Sequence, residues 1–248
     1  MKQQNLLFQN HKTKNYIGSA LLFIGIFSTA TVAGILILLL FPFSFNIAYK
    51  ISATWCWSVL WMAKVFCGVN YKVEGIEHIN TAQPAVILSN HQSAWETLAM
   101  RIILPTQVVL LKRSLVWMPI WGWALGSLKS IVIDRKSKTT ALRTLLDKGK
   151  KALNEGLWVL VFPEGTRTAA GEVKKFSIGG AMLAEKSGFP VIPVAHNAGD
   201  FWPRYSFLKY PGTIKVKIGP CIDSKGRKAA DINKEAEEWV IQTLREFD

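Results

Sequence analysis

Hydrophobic positions divide the chain into two regions of different character. Residues 16–41 are apolar almost without interruption, and residues 15–49 carry no charged side chain. A helix rises about 1.5 Å per residue and needs about 20 apolar residues to cross a bilayer. The first stretch is therefore long enough to span one. Pro42 interrupts it. A second apolar stretch, residues 43–69, holds Trp55, Trp57 and Trp61 but also Lys50 and Lys64, the pattern of an amphipathic or interfacial helix. A secretory signal would need an apolar core of about 7–15 residues and a small-residue cleavage site ahead of a polar chain. Neither is seen. Two topologies remain: a hairpin about Pro42, or one span with the second helix in the interface. Lysines on both flanks favour the hairpin, with both ends cytoplasmic.

After residue 70 short apolar runs alternate with helical patterns. Strands are predicted at 71–75, 84–88, 107–112, 130–135, 157–162, 190–194 and 213–218. Helices are predicted at 97–103, 139–152, 176–186 and from an N-cap at Asp231 to Phe247. Strands separated by helices predict one α/β domain over 70–248, with a mixed, mostly parallel sheet flanked by helices. An N-terminal two-helix membrane anchor over 1–69 precedes it. The aromatic run Trp117-Met118-Pro119-Ile120-Trp121-Gly122-Trp123 fits a packed core helix and an interfacial segment equally.

Charge narrows the partners. Among 248 residues, 30 lysines and arginines face 17 acids, a formal charge of +13. Such an excess suits nucleic acid, anionic lipid or a phosphorylated substrate. Lys2, Lys12, Lys14, Lys50 and Lys64 precede the first acid, Glu74, so the basic N-terminus accompanies the apolar helices and points to lipid headgroups. Nucleic acid is set aside on that ground. The ten tryptophans lean the same way. Cys56, Cys67 and Cys221 form no spaced framework and read as reduced residues. The histidines at 11, 78, 91 and 196 form no zinc-type cluster, so no metal is expected.

Candidate chemistry begins at Asn90-His91-Gln92-Ser93-Ala94-Trp95-Glu96. A histidine sits at a strand-to-helix turn, with a carboxylate five residues on. His91 and Glu96 can act as base and orienter if the helix start folds them together. Ser93 with Glu96 is also a capping box, which alone would explain both. Other charges fall at strand ends, where open α/β sheets bind ligands: Lys112, Arg135, and the turn Pro163-Glu164-Gly165-Thr166-Arg167. Each cation alone reads as a solvated surface residue. Together, a guanidinium, a hydroxyl and turn amides suit phosphate oxygens.

Four stretches in this order, 90–96, 130–135, 162–167 and 191–194, resemble the ordered blocks of the glycerolipid acyltransferase family. The resemblance covers about residues 70–220. The Phe-Pro-Glu-Gly-Thr-Arg block is quite specific, and the two-helix N-terminus resembles bacterial members. One departure is Glu96, where the family usually has Asp. The resemblance implies a membrane-bound transfer of a fatty acyl group from an acyl thioester to the sn-2 hydroxyl of 1-acylglycerol 3-phosphate, giving phosphatidic acid. It implies His91 and Glu96 as catalytic, with Lys112, Arg135, Glu164, Gly165, Thr166 and Arg167 binding substrate. No cofactor is expected; acyl-CoA or acyl carrier protein supplies the thioester. The implied location is the bacterial inner membrane, with the catalytic domain facing the cytoplasm among membrane lipids. With no G-x-S-x-G elbow and no cysteine near His91, no acyl-enzyme is expected. Rival readings are the same chemistry on glycerol 3-phosphate or another lysolipid, a non-catalytic anionic-lipid-binding protein, and a lipid hydrolase.

Overall fold

The computed structural model describes residues 12–134, 136–172 and 174–247. Helix α1, Lys12–Leu40, is followed by α2, Phe45–Cys67. Ser44 caps α2 by accepting from the Ile47 amide, and Gly68 ends it at φ 68°. The two helices run antiparallel: Gly18 lies against the Phe66 carbonyl, Gly25 against Met62, and Trp55 Nε1 donates to Thr29 Oγ1 at 3.1 Å.

Seven strands follow: β1 Val69–Glu74, β2 Val86–Ser89, β3 Gln107–Lys112, β4 Ile131–Ile133, β5 Trp158–Val161, β6 Val191–His196 and β7 Gly212–Ile218. All seven predicted strands are present. They form one sheet in the order β1-β7-β6-β2-β5-β3-β4, parallel at every pairing except β6 with β7. The intervening helices are α3 Trp95–Ile103, α4 Trp121–Ser127, α5 Lys138–Asn154, α6 Gly179–Ser187, α7 Ala198–Phe201 and α8 Ala229–Phe247. Two boundaries differ from expectation. Helix α6 begins at Gly179 rather than 176, because the Phe176 amide donates to Glu237 on α8. Asp231 lies inside the first turn of α8 rather than at its cap.

The strands alternate their side chains between two cores, as period-two geometry requires. Ile87, Leu160 and Ile192 join Val59, Leu60 and Ala63 of α2 and Trp95 and Met100 of α3 on one face. Val86, Leu88, Val159 and Val161 join α5, α6 and α8 on the other. Helix α2 thus covers one face of the sheet and ties the N-terminal hairpin to it. Helix α1 is different. Only 22% of its most apolar window is buried, although residues Tyr16–Leu40 are long and apolar enough to cross a membrane.

The aromatic run starts at Trp117, the last residue of a 3₁₀ turn, Arg113–Trp117, and ends inside α4. It is divided in role: Trp121 packs on Phe27 and donates to Thr31 Oγ1 at 3.2 Å, both on α1. Trp117 and Trp123 are exposed.

Candidate active site

Strands β6, β2, β5, β3 and β4 are parallel, so their C-terminal ends share one edge of the sheet. The chain leaves β2, the central strand, through Asn90 and His91. It then enters α3, where Ser93 Oγ accepts from the Trp95 amide at 3.0 Å. Glu96 sits in the first turn of α3 and is wholly buried. Its Oε1 lies 2.6 Å from His91 Nδ1 and also accepts from the Ser93 amide at 2.9 Å and the Gln92 amide at 3.2 Å. Capping and pairing therefore coexist on one oxygen. Burial alone would raise the Glu96 carboxyl, but the His91 bond, the electrostatic influence of His196 and His91, and the Ser93 amide outweigh it and hold it below its ordinary value.

The His91 ring stacks on Phe162, with centroids 4.3 Å apart at 18°. It is 9% exposed, so solvent still reaches the site. Its Nε2 has no hydrogen-bond partner among the described residues. Among the described residues no serine hydroxyl or cysteine thiol hydrogen-bonds to the His91 ring: Cys56 and Cys67 lie buried in α2, Cys221 follows β7, and Ser93 Oγ accepts from the Trp95 amide.

The loop after β5 encloses this pair. The Gly165 amide donates to the Phe162 carbonyl at 3.1 Å, and Gly165 takes φ 73°, a turn that a side chain would strain. Thr168 folds back, its amide and hydroxyl both donating to the His91 carbonyl at 2.7 and 3.2 Å. Glu164, expected with the substrate-binding residues, turns inward instead. Its Oε2 accepts from the His91 amide at 3.4 Å. Burial, opposed by the Thr168 and His91 bonds and reinforced by the nearby Glu96 charge, pushes its carboxyl up to about 7.

At the Gly165–Thr166 turn, which follows Glu164, lies a cleft of about 630 Å³ lined by Lys112, Arg113, Ser114, Trp117, Asp134, Lys136, Gly165 and Thr166; neither His91 nor Glu96 lines it. The structure thus brings Lys112, Gly165 and Thr166 together as the strand-end pattern predicted. Arg167 is half-buried and does not line this cleft; its carbonyl accepts from Arg204. Arg135 lies outside the described residues. Arg113 and Lys136 were not singled out in the sequence, although each flanks a residue that was. Also unsuspected was His196, at the end of β6. A histidine closing an apolar strand signals an edge position, but its neighbour becomes known only from strand order. Among the described residues no cluster of three His, Cys, Asp or Glu could hold a metal.

Fold and site define a class: an α/β protein whose parallel-strand edge carries a histidine–carboxylate pair and a cationic cleft. The family follows from comparison with known proteins. The Acyltransferase family model matches residues 70–197. The chain is 42% identical over 240 residues to a 1-acyl-sn-glycerol-3-phosphate acyltransferase of Pseudomonas aeruginosa, covering 95% of this chain and 93% of that one. It is 32% identical over 173 residues to the mouse 1-acyl-sn-glycerol-3-phosphate acyltransferase alpha, covering 68% and 61%. The crystal structure of the 1-acyl-sn-glycerophosphate (LPA) acyltransferase PlsC from Thermotoga maritima superposes with a TM-score of 0.78 at 26% identity, covering 96% of this chain and 97% of that one. The chain belongs to the acyltransferase family.

Proposed function

We propose that this acyltransferase is membrane-bound and moves a fatty acyl group from an acyl thioester to the sn-2 hydroxyl of 1-acylglycerol 3-phosphate, giving phosphatidic acid. The activity for which its relatives are named supports the substrate class. The observation that carries the chemistry is the His91 ring: Nδ1 is held by Glu96, and Nε2 has no partner among the described residues. The acceptor's hydroxyl takes the place that a serine holds in a triad. As its oxygen attacks the thioester carbonyl, its proton passes to Nε2. The C–O bond forms, the C–S bond breaks, and the departing thiolate takes the proton from the imidazolium. Glu96 keeps Nδ1 protonated throughout and balances the transient positive charge. Such base catalysis is worth about 10²–10⁴-fold.

Lys112, Arg113 and Lys136, with Gly165 and Thr166, suit the acceptor's phosphate, leaving its hydroxyl to His91. Arg167 and Arg135 belong to the same proposal, although Arg167 does not line the cleft and would reach the phosphate only by a change of side-chain conformation. Acyl-CoA or acyl carrier protein supplies the thioester, which places the catalytic domain on the cytoplasmic side of the inner membrane. The exposed apolar surface of α1 supports membrane attachment.

The test is a panel on purified protein: 1-acylglycerol 3-phosphate, glycerol 3-phosphate and other lysolipids, each with both donors, for wild type and His91→Ala. Phosphatidic acid formed with stoichiometric thiol release, and lost in the variant, is the expected result. Fatty acid released without an acceptor, turnover on glycerol 3-phosphate alone, or an unimpaired variant would overturn the proposal.

A further inference from the structure

We propose that His196, at the end of β6, is a positioning residue that sets the main chain of His91 for proton transfer. The inference rests on the base role of His91 proposed above. His196 is fully buried and is not part of the histidine–carboxylate pair. Its ring nitrogens have separate partners: the Ala198 amide donates to Nδ1 at 3.3 Å, and Nε2 lies 2.9 Å from the Asn90 carbonyl. Since Nδ1 accepts, the proton sits on Nε2 and is donated to Asn90.

That carbonyl belongs to the peptide joining Asn90 to His91. The same peptide's N–H, on His91, donates to Glu164. The next carbonyl, that of His91, is held twice by Thr168. Both peptides flanking the His91 Cα are therefore fixed by groups from the ends of β6 and β5, the two strands beside β2. The geometry at Asn90 explains why a side chain is needed. The β2–β6 ladder ends at Ser89 opposite Val194. Beyond it the Asn90 side chain takes over the ladder, donating to the His196 carbonyl at 2.8 Å and accepting from its amide at 3.0 Å. This frees the Asn90 main chain to turn out of the sheet toward Glu96, and leaves its carbonyl without a strand partner. The His196 ring fills that place.

Burial lowers the His196 ring below its ordinary value despite the nearby Glu96 carboxylate, so it stays a neutral donor. An apolar residue would pack in the same space but take away the shorter of the two bonds to the Asn90 carbonyl, leaving only the Ser89 hydroxyl at 3.2 Å, and a buried acceptor tolerates the loss of a partner poorly. Held only by the adjacent Ser89 hydroxyl, the peptide would shift, and misplacement by about 1 Å can cost 10²-fold in rate.

Two polar replacements separate positioning from folding. Gln places an N–H near the former Nε2, whereas Asn reaches only the former Nδ1. We expect His196→Gln to retain kcat within about threefold. His196→Asn should lose at least tenfold in kcat at unchanged acceptor KM, with its melting temperature matching that of the Gln variant. Equal kcat in the two variants, a loss confined to KM, or failure of both to fold would overturn the proposal. Should His91→Ala itself remain active, the base assignment fails and this proposal with it; an inactive His91→Ala beside a fully active His196→Asn fails this one alone.

Discussion

His91 Nδ1 and Glu96 Oε1 stand 2.6 Å apart, and that oxygen also closes the cap of α3 through the Ser93 amide. The other oxygen, Oε2, is buried without a partner. One carboxylate oxygen therefore carries the local fold and the orientation of the histidine together. The extra methylene of Glu over Asp does not prevent this, because the helix start brings the carboxylate back over its own first turn.

The two duties of Glu96 separate on substitution. Glu96→Gln keeps an oxygen for the Ser93 amide but removes the charge that balances the imidazolium. We expect kcat to fall by at least about 100-fold. The melting temperature should move by no more than about 4 °C, the shift for roughly 1 kcal/mol in a chain of this size. Full activity would remove Glu96 from the relay.

Lys112 ends β3 and lines the cleft with Gly165 and Thr166. A charge-assisted bond is worth about 1.5–3 kcal/mol. Lys112→Ala should therefore raise the KM for a phosphate-bearing acceptor by about 10–100-fold. Steady-state kinetics against varied salt would check this. Unchanged KM would place the phosphate elsewhere.

Glu164 links pH to stability. Its folded value of about 7 lies above the ordinary 4.5, so the folded protein holds a proton that the unfolded chain releases. The resulting stability is complete below about pH 4.5 and is lost as pH rises to about 7. At 1.36 kcal/mol per unit, the effect is on the order of 3 kcal/mol. Relative to wild type, Glu164→Gln should gain stability between pH 5 and pH 8, read as a widening difference in melting temperature. A difference constant over that range would refute the assignment.

Gly18 tests the seam between α1 and α2. A Cβ there would lie 2.0 Å from the Phe66 carbonyl oxygen, which is backbone and cannot swing aside. A Cβ at Gly25 would meet only the flexible Met62 side chain, at 2.6 Å. Overpacking costs about 1–3 kcal/mol, so Gly18→Ala should lower the melting temperature by about 3–10 °C, and Gly25→Ala by less. Equal shifts would mean that the helices separate freely.

Much of this protein was written along the chain. Five apolar runs became the strands β2 to β6 because burial on both faces of a parallel sheet demands them, while the polar residues of β1 and β7 mark strands with exposed positions at one side of the sheet. The His91–Glu96 pair was legible because both residues lie within one strand-to-helix turn, where local geometry brings them together. Lys112, Gly165 and Thr166 were legible as a group because strand ends in a parallel sheet share an edge. The roles of Glu164, Phe162, Thr168 and His196 were not. Each depends on which strands neighbour β2, and strand order is set by how apolar faces pack across the whole sheet rather than by any local period. The sequence by itself determined the elements, the acid-free apolar N-terminus and the candidate base. Only the tertiary structure decided that α2 joins the core while α1 stays exposed, and that the ends of β5 and β6 hold the main chain on either side of His91. Those contacts span 73 to 106 residues of chain, and only long-range packing brings such groups within hydrogen-bond reach.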